Sequence, residues 1–325
     1  MRAMLAGLRP IVLIAFAVLA AAAARADDYP SRPIVLIVPY PPGASTDITA
    51  RIMADQMSDI LGQPFVVENR PGADGVVGTS FVAKANPDGY TLLLTVNSPI
   101  TMAKFFQKDM TLDTRTALAP IINIASTSLF LAVNAQFPPT NVKELVDYAK
   151  AHPGQVSFGS AGVGSAHQIA GELINLKAGV HMEHVPYRGG APAIQDLVAG
   201  HIPVSFGTGP AVMPQARAGA IRILAAVEAQ RDPQLPDVPT VSETIPGVVT
   251  STWLGLFAPA GASPEIIAKL NKAGNDALKR PGVADKMKAQ GLRQNGGTPD
   301  EFKQLVQSEY ASYEKLIPEM GIKPQ

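Results

Sequence analysis

An α/β protein of two units, each a sheet covered by helices, is the architecture encoded by this chain of 325 residues. Short apolar runs rich in β-branched residues alternate with stretches of helical periodicity. The alternation runs through residues 34–96 and restarts near Ile121. Two strand-to-helix junctions, Ile34–Asp47 and Val156–Gln168, are also built alike: an apolar strand, a turn of small residues, then an amphipathic helix. The length agrees, because so long a chain exceeds one ordinary core.

The elements follow in order. Ile34–Pro39 is an apolar run bounded by proline, which predicts a strand. Ile48, Ile52, Met53, Met57 and Ile60 recur at helical spacing, and Gly62 supplies the stop. Phe65–Glu68 is a second strand, Gly75–Ala85 a helix closed by Asn86-Pro87, and Tyr90–Val96 a third strand. This βαβαβ order predicts right-handed crossovers and a parallel sheet. In the second unit the strands are Leu129–Val133, Val156–Phe158, Met182–Val185, Pro203–Phe206 and Ile223–Val227. Helices are predicted over Asn141–Ala151, Ser165–Lys177, Pro192–Ala199 and Pro214–Ala218. Ser165 and Gln168 have the spacing of a capping box. After the proline-rich Pro236–Thr240, Trp253–Ala258 is a further strand, and helices dominate from Pro264 onward. Two tandem units, or one unit inserted into the other between about Ala125 and Trp253, fit this pattern equally.

Hydrophobic residues at 46% and charged residues at 17% describe a globular chain. Its zero net charge gives no electrostatic footprint for nucleic acid or an anionic membrane. The absence of cysteine removes disulfides and thiolate chemistry. Arg2 and Arg9, the apolar stretch Ile11–Ala24 and the small-x-small site Ala24-Arg25-Ala26 form a secretory signal peptide over residues 1–26. Cleavage is expected near Ala26, giving an exported mature chain from about Asp27.

The two turns carry the functional signal. In Pro41-Pro-Gly-Ala-Ser-Thr-Asp47, Gly43 permits a positive φ or a close backbone approach, and Ser45, Thr46 or Asp47 can cap the helix. Asp47 can also pair with a ligand ammonium or hydroxyl. Gly159-Ser-Ala-Gly-Val-Gly-Ser165 crowds three glycines and two serines at one strand exit. It lacks the G-x-G-x-x-G and P-loop patterns, and the G-x-S-x-G elbow of a hydrolase. Each turn leaves amides at a helix N-terminus, where the dipole favours an anion. His167 lies in the first turn of the second helix. Asn97, Ser98 and Arg188 stand at other strand exits, and the Arg188 fork suits a carboxylate. His181 and His184 would point to opposite faces of a strand, which argues against a metal pair.

The ordered blocks Tyr29–Ile34, Val38–Gly43, Val67–Gly72, Asn86–Tyr90, His184–Gly189, Asp196–Gly200, Leu235–Thr240 and Trp253–Gly261 resemble the extracytoplasmic solute receptors of tripartite tricarboxylate transporters, the Bug-type receptors. The resemblance covers almost all of the mature chain. It implies a type II periplasmic-binding fold, two α/β lobes joined by two crossing segments. One lobe would take 27–125 and 251–325, the other 126–250. A small organic carboxylate would lie between them, held by Tyr40, Pro41, Pro42, Gly43, Ala44, Ser45 and Asp47 on one side. Ser160, Ala161, Gly164, Ser165, His167, Tyr187, Arg188, Gly207 and Thr208 would hold it on the other, with Asn97 and Ser98 adding polar contacts. A membrane permease is the implied partner, with no cofactor, metal or catalysis. Many such receptors carry His where this chain has Gln168, and an acidic residue where it has Gly207-Thr208-Gly209. The second departure points to a carboxylate without an amine. The alternatives are a ligand sensor for a signalling partner and, from another class, a secreted hydrolase using Ser160 or Ser165.

Overall fold

The computed structural model describes residues 29–322 except 109 and 251. The expected signal peptide and the mature start near Asp27 lie outside the described residues. Along the chain run β1 (Ile34–Val38), α1 (Ser45–Leu61), β2 (Phe65–Asn69), α2 (Val76–Ala83) and β3 (Thr91–Val96). A π-helical turn at Ser98–Met102 leads to the short α3 (Ala103–Phe106) and α4 (Thr114–Ala117), and β4 (Leu118–Thr127) follows. Then come β5 (Leu129–Asn134), α5 (Val142–Ala151), β6 (Ser157–Ser160), α6 (Ala166–Ala178) and β7 (Glu183–Pro186). They are followed by α7 (Gly190–Ala199), β8 (Val204–Thr208), α8 (Gly209–Arg217) and β9 (Ile221–Ala226). The chain ends with β10 (Thr252–Pro259), α9 (Pro264–Leu278), α10 (Val283–Ala289), β11 (Leu292–Gly296) and α11 (Pro299–Glu319).

Two sheets result. The first has the order β11-β4-β10-β3-β1-β2, the second β7-β6-β8-β5-β9. In each, a central strand is flanked by two parallel neighbours: β1 by β2 and β3, β6 by β7 and β8. An antiparallel strand follows, β10 against β3 and β5 against β8. The sheets are therefore mixed where a parallel one was expected. The reason is the crossing geometry: β4 leaves the first sheet, Ser128 alone separates it from β5, and β10 returns antiparallel beside β4 with Thr252 opposite Thr127. The two crossings thus lie side by side.

Three elements depart from expectation for local reasons. β4 starts before Ile121 because Pro120 sits opposite a register shift in β10, where its missing N–H breaks no regular ladder. β11 was hidden because it is a short polar edge strand without an apolar run. α8 begins at Gly209, since Pro210 fills the first-turn position and Pro214 lies inside the helix.

The C-terminal helix joins the cores. Phe302 and Val306 of α11 pack with Trp253 and Phe257 of the first lobe, while Tyr313 and Ile317 pack into the second. Gly255 in β10 exists for Phe302: a Cβ there would lie 2.1 Å from the ring tip, itself wedged against Trp253 and Phe257. Gly255→Ala is expected to cost about 2–3 kcal/mol by overpacking. A chemical denaturation midpoint equal to that of the unaltered protein would show that Phe302 can yield.

Candidate functional site

The exit of β1 forms the first turn. Gly43 adopts φ 83°, and its N–H donates to Asp47 Oδ2 at 2.9 Å. Asp47 is buried and also accepts from Arg51 Nε at 3.0 Å and Asn69 Nδ2 at 2.9 Å. The same Asn69 amide reaches the Tyr40 carbonyl at 3.0 Å, tying the exits of β1 and β2 together. Burial works against the Asp47 carboxylate, but the Arg51, Gly43 and Asn69 donors outweigh it and hold its pKa below the ordinary value. No side chain caps α1, so its first-turn amides stay at an open helix end.

The second turn repeats the device. Gly164 also has φ 83°, and its N–H donates to Gln168 Oε1 at 2.9 Å. Gln168 stands at the third helical position of α6, as Asp47 does in α1. Ser165 caps α6 by accepting from the Gln168 N–H at 3.3 Å. The predicted capping box is therefore half formed, its reciprocal bond going one residue further back to Gly164. Ser160, fully buried at the end of β6, lies 2.6 Å from His184 Nε2 and accepts from the Gly162 N–H at 3.1 Å. Burial pushes the His184 pKa down to about 4, with Glu183 opposing. Among the described residues no carboxylate hydrogen-bonds to His184, so this pair lacks the orienting acid of a hydrolytic triad and braces the turn instead.

A third loop completes the first lobe's side. Between β2 and α2, Ala73 and Asp74 both adopt left-handed backbone, at φ 47° and 48°. Ser98 Oγ donates to Asp74 Oδ2 at 2.7 Å, and Tyr40 OH donates to the Asp74 carbonyl at 3.3 Å. The exits of β1, β2 and β3 thus converge, as carboxyl ends of parallel strands do at a ligand crevice. Gln107 Nε2 donates to the Ala73 carbonyl at 3.3 Å, while the neighbouring Phe106 ring lies 3.3 Å from where a Cβ on Gly164 would sit. Phe106 and Gln107 therefore stand between the first lobe's loops and the second lobe's turn. An uncapped helix N-terminus on one lobe and a serine-capped one on the other, each behind a braced glycine turn, can grip an anion by backbone donors.

A family profile described as the tripartite tricarboxylate transporter family receptor matches residues 49–322. The chain belongs to that receptor family. It is 37% identical to the protein BugT of Bordetella pertussis over 305 residues, 93% of this chain and 94% of that one. A Rhodopseudomonas palustris protein solved with adipate is 34% identical, with a TM-score of 0.83 over 92% of this chain and 100% of its own. MatC of Rhodopseudomonas palustris, solved with bound malate, is 31% identical, with a TM-score of 0.79 over 89% and 100%. Receptors of this family are periplasmic binding proteins, and this one is a binding protein rather than an enzyme.

Within this receptor the expected site residues divide. Pro41, Pro42, Gly43 and Ser45 are exposed and Ala44 half-buried on the first turn. Tyr40, Ser98 and Asp74 cluster, and His167 lies in the first turn of α6 with a buried, unpartnered Nδ1 beside Gly190. Burial holds the His167 imidazole down at a pKa of about 4. Arg188 is exposed, with no ion pair among the described residues. Ala161 accepts from the Gly189 N–H at 3.1 Å, which joins the second turn to the loop carrying Arg188. Others are bonded within the protein. Asp47 and the Gly43 amide bind each other, Tyr187 OH donates to Asp196 at 2.7 Å, and Asn97 Nδ2 donates to Glu309 at 2.9 Å. Gly207 faces Val212 and Ile194, where a Cβ would clash, so packing rather than a ligand explains its glycine. Thr208 precedes α8 without capping it. Asp74, Asn69, Phe106 and Gln107 escaped the sequence reading. Only Asn69 carried a signal, at a strand exit within Glu68-Asn-Arg-Pro-Gly72.

Proposed function

We propose that this receptor captures a small organic carboxylate lacking an amine between its lobes, in the periplasm, and delivers it to a membrane permease. The paired turns carry the proposal: Gly43 with Asp47 and Gly164 with Gln168 fix two helix N-termini on two lobes by the same bond. Asp47, in the first of those turns, is committed to Gly43, Arg51 and Asn69, which leaves it no lone role for a ligand ammonium. Dicarboxylates bound to two relatives agree in chemical class. Residues 27–125 with 251–325 would act as one clamping lobe and 126–250 as the other. Sheet membership supports this division, with the last turns of α11 reaching onto the second core.

Titration calorimetry with adipate, malate, benzoate, aspartate and glutamate tests the ligand class. A plain dicarboxylate or aromatic acid is expected to bind at least about tenfold more tightly than either amino acid. Tight binding of aspartate or glutamate, with none of the amine-free acids, overturns the proposal. Delivery is tested by uptake of the bound acid in cells lacking either the receptor or the permease.

A further inference from the structure

We propose that Asp74 is a ligand-facing specificity residue whose carboxyl shares one proton with a carboxylate of the bound acid, so that each capture takes up a proton from solvent. The inference rests on the receptor reading above and names a feature of the same site. Its first ground is position. Asp74 sits where the exits of β1, β2 and β3 meet, its Oδ2 on Ser98 Oγ at 2.7 Å and its carbonyl on Tyr40 OH at 3.3 Å. The residue is exposed, although these neighbours surround it.

The second ground is backbone conformation. Two consecutive non-glycine residues in the left-handed region are costly, and such strain persists only where contacts over-determine it. Here Gln107 holds the Ala73 carbonyl, and Tyr40 and Ser98 hold Asp74. The strained turn keeps this one carboxyl at the strand exits.

The third ground is charge. Asp47 has Arg51, but Asp74 makes no ion pair among the described residues. Among the described residues, the side chains hydrogen-bonded to the Ala73–Asp74 turn are Tyr40 from the β1 exit, Ser98 after β3 and Gln107 after α3, none of them cationic, and Arg70, which follows β2, is engaged with Glu68 and the Phe81 ring. An ionised Asp74 would repel an anionic ligand, whereas a protonated one donates to it. Two carboxylates at one site hold a single proton between them. Desolvation of the carboxyl, opposed by the Ser98 hydroxyl, pushes the Asp74 pKa up to about 6, and the exposure of the residue works against a larger shift.

The sign follows from linkage. A bound carboxylate raises the Asp74 pKa further, so affinity falls as pH rises above about 6. The other titratable groups at the turns are silent there. His167 and His184 are held down at about 4, Asp47 is held low and Tyr40 is held high by burial.

Calorimetry with adipate from pH 6.5 to 8.5, in buffers of different ionisation enthalpy, reads the proton directly. The unaltered receptor is expected to take up about one proton per adipate and to lose roughly tenfold in affinity per pH unit. Asp74→Asn keeps the donor geometry, and asparagine tolerates the left-handed backbone. It is expected to bind with no proton uptake and a level pH profile. Equal proton uptake in both proteins overturns the inference alone. Failure of the unaltered protein to bind any amine-free acid overturns the receptor reading, and this inference with it.

Discussion

Asp47→Ala is expected to weaken ligand binding at least about 100-fold and to cost roughly 3 kcal/mol of stability. The change removes a buried acceptor from the Gly43 N–H, the Arg51 guanidinium and the Asn69 amide at once. Charge-assisted bonds of this kind are the stronger ones, and their loss frees the turn that aims the α1 N-terminus. Arg51 is largely exposed, so its ion pair adds little and the backbone and Asn69 bonds dominate the effect. Asp47→Asn supplies one acceptor but faces Arg51 with an amide, and should fall between the two. Because folding lowers the Asp47 pKa, its contribution is fully present above the ordinary aspartate value and is lost as pH falls through the depressed one. Calorimetry and denaturation of the same variant separate the effects. Full affinity in the alanine variant would mean that the turn keeps its shape without its brace.

The chain advertised its fold through periodicity but its site only in outline. Buried parallel strands such as Ile34–Val38 read clearly because a continuous apolar run leaves few other structures. β11 did not, since an edge strand of Leu-Arg-Gln-Asn-Gly buries only its first residue. The paired turns were visible as glycine patterns, and their positive φ values account for the glycines at 43 and 164. What sequence could not show was where each N–H points. The Gly43 amide, expected to meet the ligand, is spent on Asp47, and that choice depends on Asn69 arriving from a different strand. Asp74 was illegible for a related reason. Nothing in Pro71-Gly-Ala-Asp-Gly75 says that two non-glycine residues take left-handed backbone, because the contacts that impose it come from Tyr40, Ser98 and Gln107.

Glu309→Ala is expected to cost about 4 kcal/mol and to shift the fluorescence of Trp253, the chain's single tryptophan, to the red. In α11 this carboxylate accepts from Trp253 Nε1 at 2.7 Å, Asn97 Nδ2 at 2.9 Å, Thr101 Oγ1 at 3.3 Å and Tyr313 OH at 3.4 Å. All four are buried; Thr101 keeps its bond to the Asn97 carbonyl at 3.1 Å, while the Trp253 indole and the Tyr313 hydroxyl lose the carboxylate or draw in water. Glu309→Gln keeps the shape but turns an amide toward donors, and should cost about half as much. Denaturation followed by Trp253 emission and by circular dichroism tests this; an unshifted emission maximum would show that other groups satisfy the indole. The consequence reaches function because of where the four donors sit. Asn97 follows β3, Trp253 lies near the start of β10, and Tyr313 belongs to the second core. One carboxylate thus ties the exit of β3, the start of β10 and the second core together. Any closing rotation must carry α11 with it or bend it between Val306 and Tyr313, where its packing passes from one core to the other.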